Sequence, residues 1–268
     1  MSSTFSVNVH IPSEIREKTR TVDTTTLVVL GVLCLATVVR SALGFGEALV
    51  AVPLLALTMP VEVAAPLAVL VSVTVAGVIL LQDWRHVHFG GAWRLVLSTL
   101  VGIPFGLLLL THVAEPVVKG LLAAVIISFS IYRLTNHTHM ELNDDRFAWV
   151  FGFGAGVLGG AYGMNGPPLA VYGALRRWTQ ERFRATLQGY FFPASFVGMV
   201  GYWLTGLWTA SVTKYYFVSL PLVVVAVFVG RVLNRRLEPR RFVVCVDVCL
   251  LAIGGLLLVQ SVWATVRS

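Results

Sequence analysis

Two stretches place residue types that can do chemistry inside an otherwise apolar chain. The first is Arg40-Ser41-Ala42-Leu43-Gly44-Phe45-Gly46-Glu47; the second is Gly159-Gly160-Ala161-Tyr162-Gly163-Met164-Asn165-Gly166-Pro167-Pro168. Each sets glycines, which let a ligand approach the backbone closely, just before an apolar run that can form a short helix. The first turn of a helix carries N–H groups without intrahelical partners and about half a positive charge. An anion can bind there without a strong side-chain cation. The first stretch adds a permanent cation, Arg40, and a carboxylate, Glu47; the second adds Tyr162 and Asn165. Pro167 and Pro168 suit the first turn of a helix but carry no N–H. The expected contacts at the second stretch are therefore Gly163, Asn165 and Gly166.

The elements that must position these residues are membrane helices. The chain has 268 residues, of which 57% are hydrophobic and 12% charged, against about 25% charged in an ordinary soluble domain. Apolar segments run 24–39, 47–59, 61–82, 94–111, 116–133, 147–159, 164–175, 186–207, 213–230 and 242–263. A bilayer core needs about 20 residues of helix. Segments 47–59, 147–159 and 164–175 are shorter, so they read as half-helices of a broken or re-entrant kind. Irregular backbone between half-helices is tolerated at membrane depth only where protein or a water-filled cavity surrounds it. Both glycine-rich stretches are therefore expected to line a cavity.

The net charge of +7 comes from basic residues placed between apolar segments, which suits topology better than nucleic-acid binding. Thirteen of the 20 basic residues, Arg85, Arg94, Arg133, Arg146 and Arg184 among them, fall on one side when the connections are counted alternately. That side is expected to be cytoplasmic, with both termini outside, in the cell (inner or cytoplasmic) membrane. Five segments per half force the halves into opposite orientations. The expected fold is an all-α polytopic membrane protein of two inverted-topology repeats and about ten helical segments. Its parts are an extramembrane tail at 1–23, a first repeat at 24–133, a cytoplasmic linker at 134–146 and a second repeat at 147–268. Paired interrupted segments in matching halves point to the binding site of a secondary transporter.

The stretch Gly44-Phe45-Gly46-Glu47-Ala48-Leu49-Val50-Ala51-Val52-Pro53-Leu54 resembles the glycine-rich segment, followed by proline, near the start of TauE/SafE-type transporters. The stretch Gly160 to Tyr172 resembles that family's second-repeat signature, and Phe183-Arg184-Ala185-Thr186-Leu187 follows at the expected spacing. The resemblance covers residues 27 to about 260. It implies a permease of inverted repeats exporting sulfite or small organosulfonates. Glu47, Ala48 and Asn165 depart from the usual glycine run where a ligand would be contacted.

The expected substrate-binding residues are Arg40, Gly44, Phe45, Gly46, Glu47, Tyr162, Gly163, Asn165 and Gly166. Arg40 has two readings. In a re-entrant hairpin it sits near mid-depth and meets the anion; in a full crossing it anchors the cytoplasmic edge. Glu47 either complements a helix dipole or couples transport to a proton or cation. Gly152, Gly156 and Gly160 are spaced for close helix packing. Arg184, Gln188 and Tyr190 are considered for a vestibule, and Trp203, Trp208 and Trp263 for an aromatic belt. Cys34, Cys245 and Cys249 read as small buried apolar residues. His137 and His139, in the linker, read as solvated rather than metal-bound.

No phosphate-binding loop of the Gly-x-x-x-x-Gly-Lys-Ser/Thr type is present, so an ion or proton gradient is the expected driving force. A passive anion channel shares the same architecture and is the alternative. An intramembrane enzyme needs a Ser with a His, or paired Asp residues, at membrane depth, and the spans contain neither. No catalytic residue, metal or cofactor is expected. The expected partners are a small anionic substrate and lipid, with no nucleic acid; a homodimer is the oligomer entertained.

Overall fold

The computed structural model of the protein describes residues 13–83, 93–135, 142, 144, 146–234 and 239–267. All regular structure among the described residues is helical. The order is α1 (Ser13–Leu43), α2 (Glu47–Ala56), α3 (Val61–Asp83), α4 (Trp93–His112), α5 (Glu115–Thr135), α6 (Phe147–Tyr162), α7 (Gly166–Leu175), α8 (Gln180–Leu204), α9 (Ala210–Asn234) and α10 (Pro239–Arg267). Six helices hold segments long and apolar enough to cross a membrane: Thr24–Ala42, Val61–Val78, Trp93–His112, Glu115–Thr135, Ala210–Leu233 and Val244–Val266. The protein is a polytopic membrane protein.

Three helices are short. The ten residues of α2 and of α7 span about 15 Å each, and the sixteen of α6 about 24 Å. Every residue of α2 except Leu54 is buried. A helix that is apolar all round belongs inside a bundle, where its open ends are shielded from lipid. The half-helix pairs expected from segment length are therefore present, with two differences in α1. It runs without interruption through Arg40 to Leu43, and it begins at Ser13, well before the apolar run. No glycine or proline lies between Ser13 and Leu30 to stop it. The second half of the expected tail is thus helical.

The helix pairing repeats itself. α1 packs on α9 as α6 packs on α4, and α3 contacts α9 as α8 contacts α4. α5 also packs on α10, and α3 on α8. Matching α1–α5 to α6–α10 returns this set of pairs to itself.

The tightest crossing, α4 with α6, is made of glycine. A Cβ on Gly102 would overlap the Phe153 carbonyl, and one on Gly106 the Val157 carbonyl. From the other side, Gly156 faces the Thr99 carbonyl, Gly160 the Ile103 carbonyl, and Gly152 both Leu95 and Ser98. Backbone meets backbone because small residues alone permit that approach.

The outer faces also depart from expectation. Cys245 and Cys249 are exposed and Cys34 is half-buried. α10 lies at the periphery, where an apolar side chain meets lipid at no cost. Trp203 and Trp263 are exposed, whereas Trp208 is half-buried and its indole N–H donates to Thr213. His137 and His139 and most of the linker lie outside the described residues, as do the side chains of Arg184 and Gln188.

Gly156→Val should lower stability by about 1–3 kcal/mol, because the two backbones must separate. Gly154 has no neighbour within 4 Å of a would-be Cβ, so Gly154→Ala should stay within about 0.5 kcal/mol of wild type. Thermal melting of the two purified variants in detergent compares them directly.

Candidate functional site

The first break is three residues, Gly44, Phe45 and Gly46, between helices. Gly44 and Gly46 adopt φ of 89° and 100°, a left-handed conformation that costs glycine nothing. The chain leaves α1 at Leu43 and restarts as α2 at Glu47, with Gly46 as the residue before the first turn. Lacking a side chain, Gly46 cannot cap the helix, and the first N–H groups of α2 are left to whatever occupies the space before them.

The second break solves the same problem differently. Gly163, at φ 67°, closes α6: its N–H donates to the Gly159 carbonyl and that of Met164 to the Leu158 carbonyl. This is a left-handed helix stop, and it consumes two donors. Pro167 and Pro168 have none to give. The donors that remain for a ligand are the N–H groups of Asn165 and Gly166. Gly163 therefore shapes the break rather than offering its N–H to an anion.

Asn165 occupies the position that would ordinarily cap α7, yet its side chain makes no such bond. The amide is held elsewhere. Thr99 donates its hydroxyl to the Gly152 carbonyl at 2.8 Å. The Tyr190 hydroxyl therefore donates to Thr99, at 2.6 Å. Its oxygen is then free to accept from the Asn165 amide nitrogen, at 3.2 Å. The direction of this chain fixes the amide, which lies so close over Gly159 that a Cβ there would come within 2.6 Å of it. Tyr190 is fully buried and belongs to this network rather than to a vestibule.

The two breaks meet at one small cavity. Phe45, Gly46, Glu47, Ala48 and Leu49 line it from the first break, and Gly163, Met164, Asn165, Gly166 and Pro167 from the second. Arg40 enters from α1, Ser72 from α3 and Phe191 from α8. Seven of the nine residues expected at the site are brought together. Gly44 is not among the lining residues, since it turns the chain behind Phe45. Tyr162 is not either: its hydroxyl donates to the Val118 carbonyl at 3.0 Å, which ties the end of α6 to α5.

Arg40 is 3% exposed and Glu47 2%. The Arg40 guanidinium donates through Nη1 to Glu47 Oε2 and to Ser72 Oγ, the latter at 2.5 Å. It also lies 5.0 Å over the Phe191 ring, within range of cation–π attraction. Thr37 donates to the other Glu47 oxygen at 3.4 Å. Ser72 is the twelfth of the 23 residues of α3, so Arg40 is bonded at the middle of a membrane-length helix. Arg40 reaches this point with α1 unbroken up to Leu43.

Ser72 and Phe191 were not among the expected site residues. A signal for them exists: 119 residues separate Gly44 from Gly163, and 119 separate Ser72 from Phe191. The same spacing matches Arg40 with Gly159, Phe45 with Met164 and Glu47 with Gly166. The cavity is built twice over in outline, but both of its charges come from the first half.

Removing one member of a buried ion pair leaves the other uncompensated, at a cost of about 3–5 kcal/mol. Arg40→Ala should therefore be strongly destabilised, and Arg40→Ala/Glu47→Ala should regain most of that loss. Thermal melting of both variants alongside Glu47→Ala measures the coupling, and a double variant no more stable than Arg40→Ala would contradict it.

Comparison with curated proteins and with solved structures returned no match. The family model described as "Sulfite exporter TauE/SafE" matches residues 29–257, which takes in both breaks, the cavity, all of α2 to α9 and parts of α1 and α10. The chain belongs to the TauE/SafE sulfite exporter family of membrane transporters.

Proposed function

We propose that this protein is a secondary transporter that exports small sulfur-containing anions such as sulfite or organosulfonates. The anion binds in the cavity between the starts of α2 and α7, and its movement is coupled to that of a proton. Two short helices begin at the same cavity without a side-chain cap; that observation carries the reading. Their free N–H groups and helix dipoles favour an oxyanion, and the planar fork of Arg40 matches its geometry. In this reading both termini lie outside and the two halves are repeats of inverted topology, for which the repeating helix pairing speaks.

The coupling follows from charge. The cavity is lined by one guanidinium and one carboxylate, bonded to each other. An arriving anion would leave a buried net negative charge, which a low-dielectric site resists. A proton on Glu47 restores neutrality and frees Arg40 to turn from the carboxyl group to the substrate. Anion and proton then travel together with Glu47 as the proton carrier, so export runs down the anion's own gradient and an acidic exterior opposes it.

Glu47→Gln, which copies the protonated carboxyl group, tests this. In proteoliposomes the variant should lose the response of radiolabelled sulfite flux to an imposed pH gradient while retaining sulfite binding. Its melting temperature should lie below wild type without anion and rise further on saturation with sulfite, since the anion then supplies the missing partner of Arg40. A wild-type gradient response in Glu47→Gln would remove Glu47 from the coupling. Sulfite, taurine, sulfoacetate and sulfate compared for binding to the purified wild-type protein rank the substrates.

A further inference from the structure

By position alone Arg133, two residues before the end of α5, counts among the topology charges. Its surroundings are not those of an interface residue. Its Nε lies 3.2 Å from Asp247 Oδ2 in α10, and its guanidinium lies 5.5 Å from the rings of both Phe129 and Phe45. Arg133 keeps 15% of its side chain exposed, whereas Asp247 keeps 1%. Neither carboxylate oxygen of Asp247 has a hydrogen-bond partner among the described residues. The cation is thus reachable from outside and loosely held; its counter-charge is sealed in.

Phe45 stands between this cation and the cavity. One side of its ring faces Gly166, where a Cβ would come within 3.3 Å. Its edge packs against Phe183, with centroids 5.7 Å apart and planes at 87°. Phe183 is the fourth residue of α8, and Arg133 the third from the end of α5. Both belong to helix ends on the arginine-bearing side, so the ring separates the cavity from that side.

We propose that Arg133 is a second anion-binding station, just outside the cavity on its arginine-bearing side, and that Phe45 is the barrier between the two stations. The ligand is the same class of small sulfur oxyanion, so the inference rests on the transport reading above. Displacing Asp247, which no aligned hydrogen bond holds to Arg133, lets the fork take an oxyanion side-on. A purely adhesive role for the pair fits less well. α5 and α10 are already joined by the Ser261 hydroxyl, which donates to the Pro116 carbonyl at 2.6 Å, and by Gly254 seated against Ile127. A carboxylate as buried as Asp247 with no hydrogen-bond partner among the described residues is also costly to keep.

The test is Arg133→Met/Asp247→Asn, which removes both charges together. A structural tie predicts that the double variant recovers both folding and flux. A station predicts wild-type melting and equilibrium sulfite binding within about twofold, with radiolabelled sulfite flux into proteoliposomes down at least about tenfold. Wild-type flux in the folded double variant overturns the proposal. Should the double variant not fold, Asp247→Asn keeps the cation and exposes it, and the KM for sulfite should fall about threefold or more; an unchanged KM overturns the proposal. Absence of sulfite binding by the wild type would instead overturn the transport reading, and the station with it.

Discussion

The bond between Arg40 and Glu47 spans the first break and joins the end of α1 to the beginning of α2. Neither charge could stay at that depth alone, because the several kcal/mol needed to strip water from each is offset only by the other and by hydrogen bonds. Ser72 and Thr37 supply those bonds from α3 and α1. The pair therefore dictates how three helices approach one another, and the left-handed glycines on either side of Phe45 are what allow the chain to bring both residues to one point. Among the described residues, the second break has no such pair. It is held open by a neutral route, a helix stop at Gly163 and a directed chain of hydroxyls that pulls Asn165 away from the cap.

Most of the fold could be read in the sequence, and the reasons are physical. Segment length separates a helix that crosses from one that cannot, and glycine and proline mark where the short ones begin. The sharpest error lay in the first segment. Its apolar run ends at Val39, but an α-helix does not stop where hydropathy stops, and α1 carries Arg40 inward because Glu47 is there to receive it. The tail before Thr24 shows the same thing at the other end.

Within the site, residues on the broken stretches were legible because glycine-rich chain in an apolar protein is conspicuous. Ser72 and Phe191 were not, because they sit on unbroken helices and reveal themselves only through the repeat spacing. Tyr162 misled in the opposite way. It lies on the conspicuous stretch, yet the last residue of α6 points along a different radius and satisfies its hydroxyl on α5. Asp247 carried a signal that went unused: it is the sole acid in the 242–263 segment, and an unexplained charge in a span calls for a named partner.

The neutrality of the Arg40–Glu47 pair has an electrical consequence. A charge moved through the membrane potential gains or loses about 2.3 kcal/mol per 100 mV. In the proposed cycle the empty carrier holds equal and opposite charges, and the carrier loaded with one monovalent anion and one proton is again neutral. Neither half of the cycle then moves net charge. Voltage would not set the direction of transport for such a substrate; the pH difference and the anion's own concentrations would. A divalent anion would break that balance by one unit, making its movement sensitive to the potential while the monovalent form is not.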